Sequence, residues 1–402
     1  MNQQAILDLT KRLVAIRTVN YNPAHFPTPP DGMTSPGEEH KLVDFVALYL
    51  QRHYIPYSTF VGLDNRPSLI AHIGQQTEGA RQLLIAFHSD TVPSEAEKWT
   101  SIRDPFAAQL IDDYIYGRGT LDNKGPMAAG LEAAVALKAI ESELLGTVMI
   151  GIFPDEEVGG SAGLRKIIDE SIITPTDAII PDVGGDMQQI VVAEKGRVVL
   201  DVAVTGKAAH GSTPYAGKSA IEAMARYIAI LHKYPLFDFL IPFPPFDHPT
   251  TVNYGIITGG GIVNNVADTC QVTLDIRFTP DQTPDSIIAE LHRRAKFLTK
   301  EGYDVNIRYT PGQVVADPFV LQGYESSPLV RAIQKSSGAQ PIGIGGGTVS
   351  KHLAAKGIMS VGWGPGSTEH FHVPNEMISL SRLHDFAEAL VSIVPEVINQ
   401  YV

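Results

Sequence analysis

Cysteine is almost missing from this chain, which contains one, Cys270, in 402 residues. A lone cysteine excludes an internal disulfide and any metal site built from several thiolates. No stretch approaches the ~18 uninterrupted apolar residues of a membrane-spanning helix, so we predict no membrane partner. The first residues also lack the basic segment and apolar core that are typical of a secretory signal. We therefore expect a cytoplasmic protein.

Basic charge is scarce as well. The chain has 31 Lys and Arg residues against 44 Asp and Glu residues, a formal net charge of −13. A nucleic-acid-binding protein normally presents a basic surface, so we exclude nucleic acid as a partner. Apolar residues make up 44% of the chain, which is enough for a sizeable core, and the length indicates two or three domains.

Apolar runs and helical patterns alternate in the first half of the chain. The runs at 68–73, 83–87 and 148–153 predict buried strands. A segment of small residues at 127–142 predicts a helix between the last two. Alternation of this kind is typical of an α/β fold, in which helices are layered on a central sheet.

The pattern changes after Lys195. From here the sequence predicts strands and helices in the order βαββαβ, at 198–205, 219–232, 251–258, 269–278, 284–299 and 303–309. This order is that of the split βαβ, or ferredoxin-like, sandwich. We predict that residues 197–308 form a small domain inserted into a larger, discontinuous domain of residues 1–196 and 309–402.

Histidine and acidic residues follow several of the predicted strands. His88 and Asp90 come directly after the run at 83–87, and Glu156 and Glu157 come after the strand at 148–153. Open α/β sheets bind ligands at the carboxyl ends of their strands. For His88 and Asp90, a solvated pair in a loop is the open alternative.

Further candidates lie in three other segments. Asp122 belongs to a glycine-rich loop and could instead be the N-cap of the next helix. Asp182 follows another apolar run, and His370 and His372 precede the last helix. Together the candidates form a set of oxygen and nitrogen donors suited to paired zinc ions. Such a pair needs a bridging carboxylate and a nearby base.

The candidate residues lie in five motifs, which follow one another along the chain: HSD at 88–90, GRGTLDNKGP at 117–126, PDEEVGG at 154–160, Asp182 and EHFHVPNE at 369–376. This succession resembles the M20 metallopeptidase family along essentially the whole chain. The resemblance implies a zinc-peptidase-like catalytic domain and an inserted lid and dimerisation domain, and hence a homodimer. It also implies a two-zinc amide hydrolase, in which cobalt or manganese can replace zinc.

The resemblance also implies roles for individual residues. The implied metal ligands, with Asp122 shared by both ions, are His88, Asp122, Glu157, Asp182 and His372. His372 is preferred over His370 because the family ligand lies four residues before an acid, here Glu376. Glu156 is implied as the general base and Asp90 as the partner of His88. A cis peptide bond is expected after Asp122.

In the inserted domain, the resemblance implies three functional residues. His210 is expected to reach the partner subunit's active site and stabilise the oxyanion, while Asn265 and Arg277 are expected to bind the substrate carboxylate. Alternating apolar residues at 270–278 place Arg277 on the polar face of its strand and Cys270 in the core. Without the resemblance, a surface salt bridge is the open alternative for Arg277.

A glycine turn containing Gly347 and Thr348 resembles one that lies near the end of the substrate in PepV-type dipeptidases. The implied reaction is release of a free amino acid from a small N-acyl-amino acid or short peptide that carries a free carboxylate. A narrow dipeptidase of the PepV type is the alternative within the family.

Two other interpretations remain. Ser161 lies in a formal Gly-x-Ser-x-Gly motif, but a serine nucleophile must follow its strand directly, and residues 154–160 intervene. The second interpretation is a protein that has lost its metals and serves only as a binding module. Such a module would lack some of the implied metal ligands or the implied general base. All of them are present in this sequence, and we therefore predict an enzyme.

Overall fold

The computed structural model describes residues 1–23, 26–62, 66–234 and 243–402. Within these ranges the α-helices are α1 (Gln3–Ala15), α2 (His40–Arg52), α3 (Lys124–Ala139), α4 (Leu164–Asp169), α5 (Ala220–Lys233), α6 (Pro284–Lys300), α7 (Pro328–Ser337), α8 (Ser350–Ala355) and α9 (Leu380–Ile398). None of these helices has both the length and the apolar character needed to cross a membrane.

The β-strands of the same ranges are β1 (Tyr57–Val61), β2 (Pro67–Gly74), β3 (Gln82–His88), β4 (Gln109–Ile111), β5 (Tyr114–Tyr116), β6 (Thr147–Phe153), β7 (Asp177–Ile180), β8 (Gln189–Glu194), β9 (Gly196–Thr205), β10 (Thr251–Gly259), β11 (Thr269–Phe278), β12 (Asp304–Tyr309), β13 (Phe319–Val320), β14 (Gln340–Ile344), β15 (Met359–Gly362) and β16 (Met377–Ser379). The strands predicted at 68–73, 83–87 and 148–153 correspond to β2, β3 and β6.

The chain divides into two compact units. The first unit comprises Met1–Val192, Leu321–Pro341 and Thr348–Val402. The second comprises Ala193–Val320 and Ile342–Gly347. The segment predicted as an inserted domain, 197–308, falls within the second unit.

The first unit is built on a mixed sheet with the strand order β1-β2-β6-β3-β7-β15-β8. Strand β3 is parallel to β6 and β7, and β7 is parallel to β15, whereas β1 and β2 are antiparallel to their neighbours. The parallel strands β3, β6 and β7 end at His88, Phe153 and Ile180. Parallel strands end at the same edge of a sheet, so the loops after these three residues lie close together.

Helices cover both faces of this sheet. Successive side chains of β3 point to opposite faces and are almost all buried, so both faces must be covered. On one face Phe87 reaches helix α3 at Gly130, where an added Cβ would lie 2.3 Å from the phenyl ring. On the other face Leu84 packs in a cluster with Leu164 of α4 and Leu353 of α8. The predicted α/β architecture is confirmed.

The second unit contains an antiparallel sheet with the order β10-β11-β9-β12. Helices α5 and α6 share one buried apolar cluster with strands β9 and β11. The chain order is βαββαβ, as predicted. Along β11 the residues from Cys270 to Phe278 alternate between buried and partly exposed, which also confirms the predicted core position of Cys270. Strand β10 lies at the edge of the sheet.

Candidate metal centre

Three of the candidate ligands meet at the carboxyl edge of the first unit's sheet. His88 ends strand β3, Asp122 lies just before helix α3, and Glu157 follows β6. Each offers one ligand atom, and these atoms lie within 4.8 Å of one another. The His88 Nε2 atom is 2.7 Å from Asp122 Oδ1 and 3.6 Å from Oδ1 of Asp182, which follows β7. Four segments of the chain therefore contribute to one cluster.

His372 approaches the same cluster from a distant part of the sequence. Its Nε2 atom lies 3.0 Å from Asp122 Oδ2 and 3.0 Å from Glu157 Oε2. Asp122 thus contacts one histidine through each of its two carboxylate oxygens. The structure brings all five implied ligands together, with Asp122 at the centre.

The backbone around Asp122 bears on the alternative role of this residue. The Asp122–Asn123 peptide bond is cis, as the family resemblance implied. The N-cap of α3 is Asn123, which makes no capping hydrogen bond through its side chain. The alternative that Asp122 caps this helix is therefore wrong.

Asp90 holds the turn that presents the two glutamates. Its carboxylate accepts hydrogen bonds from the backbone N–H groups of Glu156, at 3.1 Å, and Glu157, at 3.2 Å. The side-chain amide of Asn20 donates to the same carboxylate at 2.8 Å. Because both His88 and Asp90 are buried, the alternative of a solvated loop pair is wrong.

The orientation of His88 follows from its second ring nitrogen. His88 Nδ1 lies 3.0 Å from the backbone carbonyl oxygen of Asp90. A carbonyl only accepts hydrogen bonds, so Nδ1 carries a proton and Nε2 has the lone pair when the imidazole is neutral. Such an orienting contact is usual for histidines that bind metals.

Acidic groups are crowded at this edge. Burial and the charge of Asp122 raise the pKa of Glu157 to about 7, and burial raises the pKa values of Glu156 and Asp182. Hydrogen bonds with Asp122 and Glu157 raise the pKa of His372 to about 10. Burial works against ionisation of Asp122 too, but hydrogen bonds from the two histidines hold its pKa well below the ordinary value. The crowded carboxylates of the cluster therefore favour the binding of protons or of a cation.

The donor atoms present fit a pair of metal ions. Imidazole nitrogens and carboxylate oxygens are ligands that zinc accepts in proteins. The Glu157 Oε1 atom is buried and has no hydrogen-bond partner among the described residues. An unpaired buried carboxylate oxygen is costly unless a cation or a donor satisfies it.

Sequence reasoning missed a second support of the glutamate turn. Arg66 Nη1 donates to the carboxylate of Asp155 at 2.6 Å, directly before Glu156. The same guanidinium pairs with the buried Glu39. Neither Arg66 nor Asn20 belongs to a motif. Asn20 is 70 residues from Asp90 and Arg66 is 89 residues from Asp155, so no local pattern could have identified these contacts.

In the second unit the structure brings two of the predicted residues together. His210 and Asn265 are paired in an isolated antiparallel bridge. Ser212 donates its backbone N–H to His210 Nδ1 at 3.2 Å. Since Nδ1 accepts this bond, the neutral imidazole carries its proton on Nε2 and can donate from there.

Arg277 makes an ion pair on its own strand. Its Nε atom donates to Asp275 Oδ1 at 2.8 Å, and Arg197 Nε donates to Asp275 Oδ2 at 2.9 Å. Burial opposes ionisation of Asp275, but these two hydrogen bonds lower its pKa. Arg277 Nη1 also donates to the carbonyl of Gly345 at 3.2 Å, in the glycine turn that contains Gly347. The surface ion pair considered from the sequence is therefore present.

Two remaining candidates are placed in the first unit. Thr348 Oγ1 accepts a hydrogen bond from the backbone N–H of Ser350 at the start of α8. Ser161 donates its hydroxyl to Asp155 at 3.1 Å and lies beyond the turn at Glu156–Val158, not directly after β6. This position does not suit a serine nucleophile.

The family model for peptidase family M20/M25/M40 matches residues 84–396. The chain therefore belongs to this family and is a metallo-hydrolase. The serine-hydrolase and non-enzymatic alternatives are wrong.

Known proteins similar to this chain agree with that assignment. Acetylornithine deacetylase from Shigella sonnei (strain Ss046) is 29% identical over 346 residues, which cover 83% of this chain and 84% of the relative. The structure of a tripeptidase from Staphylococcus aureus subsp. aureus Mu50 has a TM-score of 0.70 at 22% identity, covering 100% of both chains. The Bacillus subtilis YXEP protein, a dinuclear metal binding peptidase from the M20 family, has a TM-score of 0.64 at 15% identity, covering 99% of this chain and 98% of that one. These structural likenesses show the fold, and a dinuclear metal site is typical of the family.

Proposed function

We propose that this enzyme uses two zinc ions to hydrolyse the amide bond of a small N-acyl-amino acid or short peptide and release a free amino acid. The observation that carries the proposal is the cluster around Asp122, where one carboxylate contacts two histidines beside an unpaired buried oxygen of Glu157. The residues that would hold the metals are His88, Asp122, Glu157, Asp182 and His372.

When bound, two metals would supply Lewis-acid chemistry, which polarises a carbonyl group and lowers the pKa of water. The chain orients its own ligands for this. His88 presents Nε2 because Nδ1 donates to the carbonyl of Asp90. Asp122 offers one oxygen towards each of the two histidines, which suits a bridging role. The same donor set would also accept cobalt or manganese.

Glu156 is proposed as the general base. Its backbone is fixed by Asp90, and burial raises the pKa of its carboxyl group. A carboxylate with a raised pKa is a stronger base than an ordinary one. Glu156 would accept a proton from the attacking water and return it to the leaving amine, while Glu157 lies in the cluster, 3.0 Å from His372 Nε2.

Arg277 and Asn265 are proposed to bind the free carboxylate of the substrate, and Gly347 and Thr348 are proposed as further substrate-binding residues. Asp275 holds the Nε atom of Arg277, which fixes the plane of the guanidinium. The Arg277 side chain is 34% exposed and can therefore be reached from solvent. A planar guanidinium binds a carboxylate through two parallel hydrogen bonds, which a lysine cannot do.

His210 is proposed to donate a hydrogen bond to the oxyanion in the active site of a partner subunit, so that the active species is a homodimer joined through the second unit. Ser212 supports this role because it occupies Nδ1 and leaves the proton on Nε2. A donor placed where negative charge develops contributes most in the transition state.

A substrate screen tests the proposed function. Metal-free protein would be loaded with zinc or with cobalt and offered N-acetyl-amino acids, N-succinyl-amino acids and dipeptides, with release of free amino acid as the readout. We expect hydrolysis of at least one class by the loaded protein and none in the presence of a chelator. The class with the highest kcat/KM separates a deacylase from a dipeptidase. Activity that survives complete metal removal would contradict the proposal.

A further inference from the structure

A buried carboxylate lies behind the loop that carries Asp122. Glu376 is fully buried, and one of its oxygens, Oε1, accepts three backbone N–H groups. The donors are Gly119 at 3.0 Å, Leu121 at 2.8 Å and Asp122 itself at 3.0 Å. Successive N–H groups of one loop that point at one oxygen form a small anion-binding concavity, here filled by the chain's own side chain.

The second oxygen of Glu376 is paired with a buried cation. Arg118 Nη1 donates to Oε2 at 2.6 Å, and the Arg118 side chain is 1% exposed. Arg118 is itself fixed, because Nη2 donates to the carbonyl of Pro93 at 3.2 Å and the guanidinium lies 5.9 Å from the centre of the Trp99 ring. The negative charge of Glu376 is therefore balanced by Arg118, which belongs to the same loop as Asp122.

The same stretch of chain also fixes the loop of His372. The neighbouring Asn375 accepts hydrogen bonds through its side-chain oxygen from the backbone N–H groups of Thr100 and Ser101, each at 2.9 Å. His372 has a side chain that is 52% exposed, so packing alone does not orient it. Contacts with Asp122 and Glu157 hold its ring, and residues 375 and 376 anchor the backbone that follows it.

We propose that Glu376 is a positioning residue of the metal centre, which holds Asp122 and His372 in their mutual geometry. The inference rests on the proposed metal ligands, since it concerns two of them. Charge-assisted hydrogen bonds to a carboxylate are stronger than neutral ones. Loss of this carboxylate would leave three N–H groups and the Arg118 guanidinium without their partner in a buried place, and the Asp122 loop would relax.

Glu376→Gln tests this role because it keeps the shape of the side chain and removes its charge. The amide oxygen can still accept from the loop, but the amide N–H group then faces the N–H group of Arg118. We expect the variant to bind two cobalt ions at saturation, with a Kd roughly 10–100-fold higher than that of the unmodified protein. Chelator competition measures the Kd, and the visible absorption spectrum of bound cobalt should change because the ligand geometry changes.

A matched control comes from the other edge of the same sheet. Asp177, at the start of β7, is fully buried and pairs with Arg81 at 2.8 Å. Asp177→Asn removes a buried charge pair of similar kind away from the cluster. This variant should lower the Tm of the protein but leave the cobalt Kd and the cobalt spectrum unchanged.

Each outcome of these measurements either supports or overturns the positioning role of Glu376. If Glu376→Gln lowers the Tm as the control does but leaves the Kd and the spectrum unchanged, Glu376 has only a structural role and the inference is overturned. If Glu376→Gln does not fold, the same measurements on Glu376→Asp decide in the same way, because aspartate keeps the charge but is one methylene shorter. Failure of the unmodified protein to bind two metals would instead contradict the proposed function.

Discussion

The two units differ in how they hold most of their proposed functional side chains, with the 52% exposed His372 of the first unit as the exception. In the first unit His88, Asp90 and Asp122 are buried, and backbone or side-chain hydrogen bonds fix each of them. In the second unit His210 and Asn265 are exposed, and Arg277 is partly exposed. Buried like charges can be kept together only by a rigid framework, whereas an exposed donor is ready for a group that arrives from outside. The comparison separates the proposed metal ligands from the residues proposed to contact the substrate.

The largest expected effect is in the first unit, where chemistry and metal binding should be separable. Glu156→Gln is expected to lower kcat by ~10²–10⁴-fold while two metals per chain remain, because a base outside the ligand set can be neutralised without emptying the site. Elemental analysis and turnover measure the two properties. Glu157→Gln is the control and should lose metal. If Glu156→Gln loses one metal equivalent instead, the two glutamates exchange roles.

In the second unit, loss of an exposed donor should reduce turnover without affecting metals. His210→Ala is expected to lower kcat by ~10²–10³-fold, the scale of one lost oxyanion donor, with two metals still bound. Mixing this variant with Glu156→Gln under subunit exchange should restore activity, since a heterodimer contains one complete site. A mixture of Glu156→Gln and Glu157→Gln should stay inactive. No recovery in the first mixture would argue against a shared site.

A smaller effect should distinguish binding of the substrate from chemistry. Arg277→Lys is expected to lower kcat/KM for a free-acid substrate by ~10–150-fold, since a charge-assisted hydrogen bond is worth about 1.5–3 kcal/mol. The same change should scarcely affect an amidated substrate, which has no carboxylate for the arginine. Equal turnover of the two substrates by the unmodified enzyme would show that Arg277 does not bind a carboxylate and acts only in its ion pair with Asp275.

The smallest effect concerns the metal-free protein, whose two units should respond differently to pH. The pKa of Glu157 is raised from 4.5 to about 7, so its contribution to stability is present below pH 4.5 and lost as the pH rises to about 7. The pKa of Asp275 is lowered, so its contribution is present above pH 3.8 and lost only in more acidic solution.

Hydrogen exchange at pH 5 and pH 8, corrected for the intrinsic rate, checks this difference. Peptides from 147–160 should be less protected at pH 8 than at pH 5, while peptides from 269–278 should be equally protected at both. Added zinc should abolish the first difference, because it keeps the carboxylate ionised. Equal changes in both units would mean that Glu157 does not control the local response.

Long periodic elements and compact motifs could be predicted from the sequence. The alternation along β11 indicated its buried face, and the motifs around His88 and Asp122 pointed to residues that meet in space. By contrast, β4, β5 and β16 have three residues each, which is too short for a period to be visible. These strands form a separate sheet of order β16-β5-β4. Its position depends on the pairing of Met377 with the distant Tyr116, which a pattern of single residues does not encode.

The supporting residues of the site were the least predictable. Glu376 served only as a spacing marker in the sequence, yet it binds a loop more than 250 residues away. Asn20 and Arg66 likewise act through partners that are distant in sequence. Hydrogen bonds to backbone N–H groups and buried ion pairs leave no repeating pattern of residues in the sequence. They can therefore be identified only in the folded structure. The ion pair of Arg277 with Asp275, two residues away, could be considered beforehand because it is local.

The discontinuity of the first unit also sets an order of events during synthesis. Strand β15 lies between β7 and β8 in the sheet, and His372 comes later still in the chain. A growing chain therefore cannot complete this sheet until β15 has left the ribosome, and it cannot bring His372 to Asp122 until the segment with His372 has followed. The second unit is almost continuous, lacking only Ile342–Gly347 after Val320 emerges. Domains tend to fold as units as they are made. The small unit can thus mature first, and the cluster around Asp122 is assembled only after the later segment with His372 has been made.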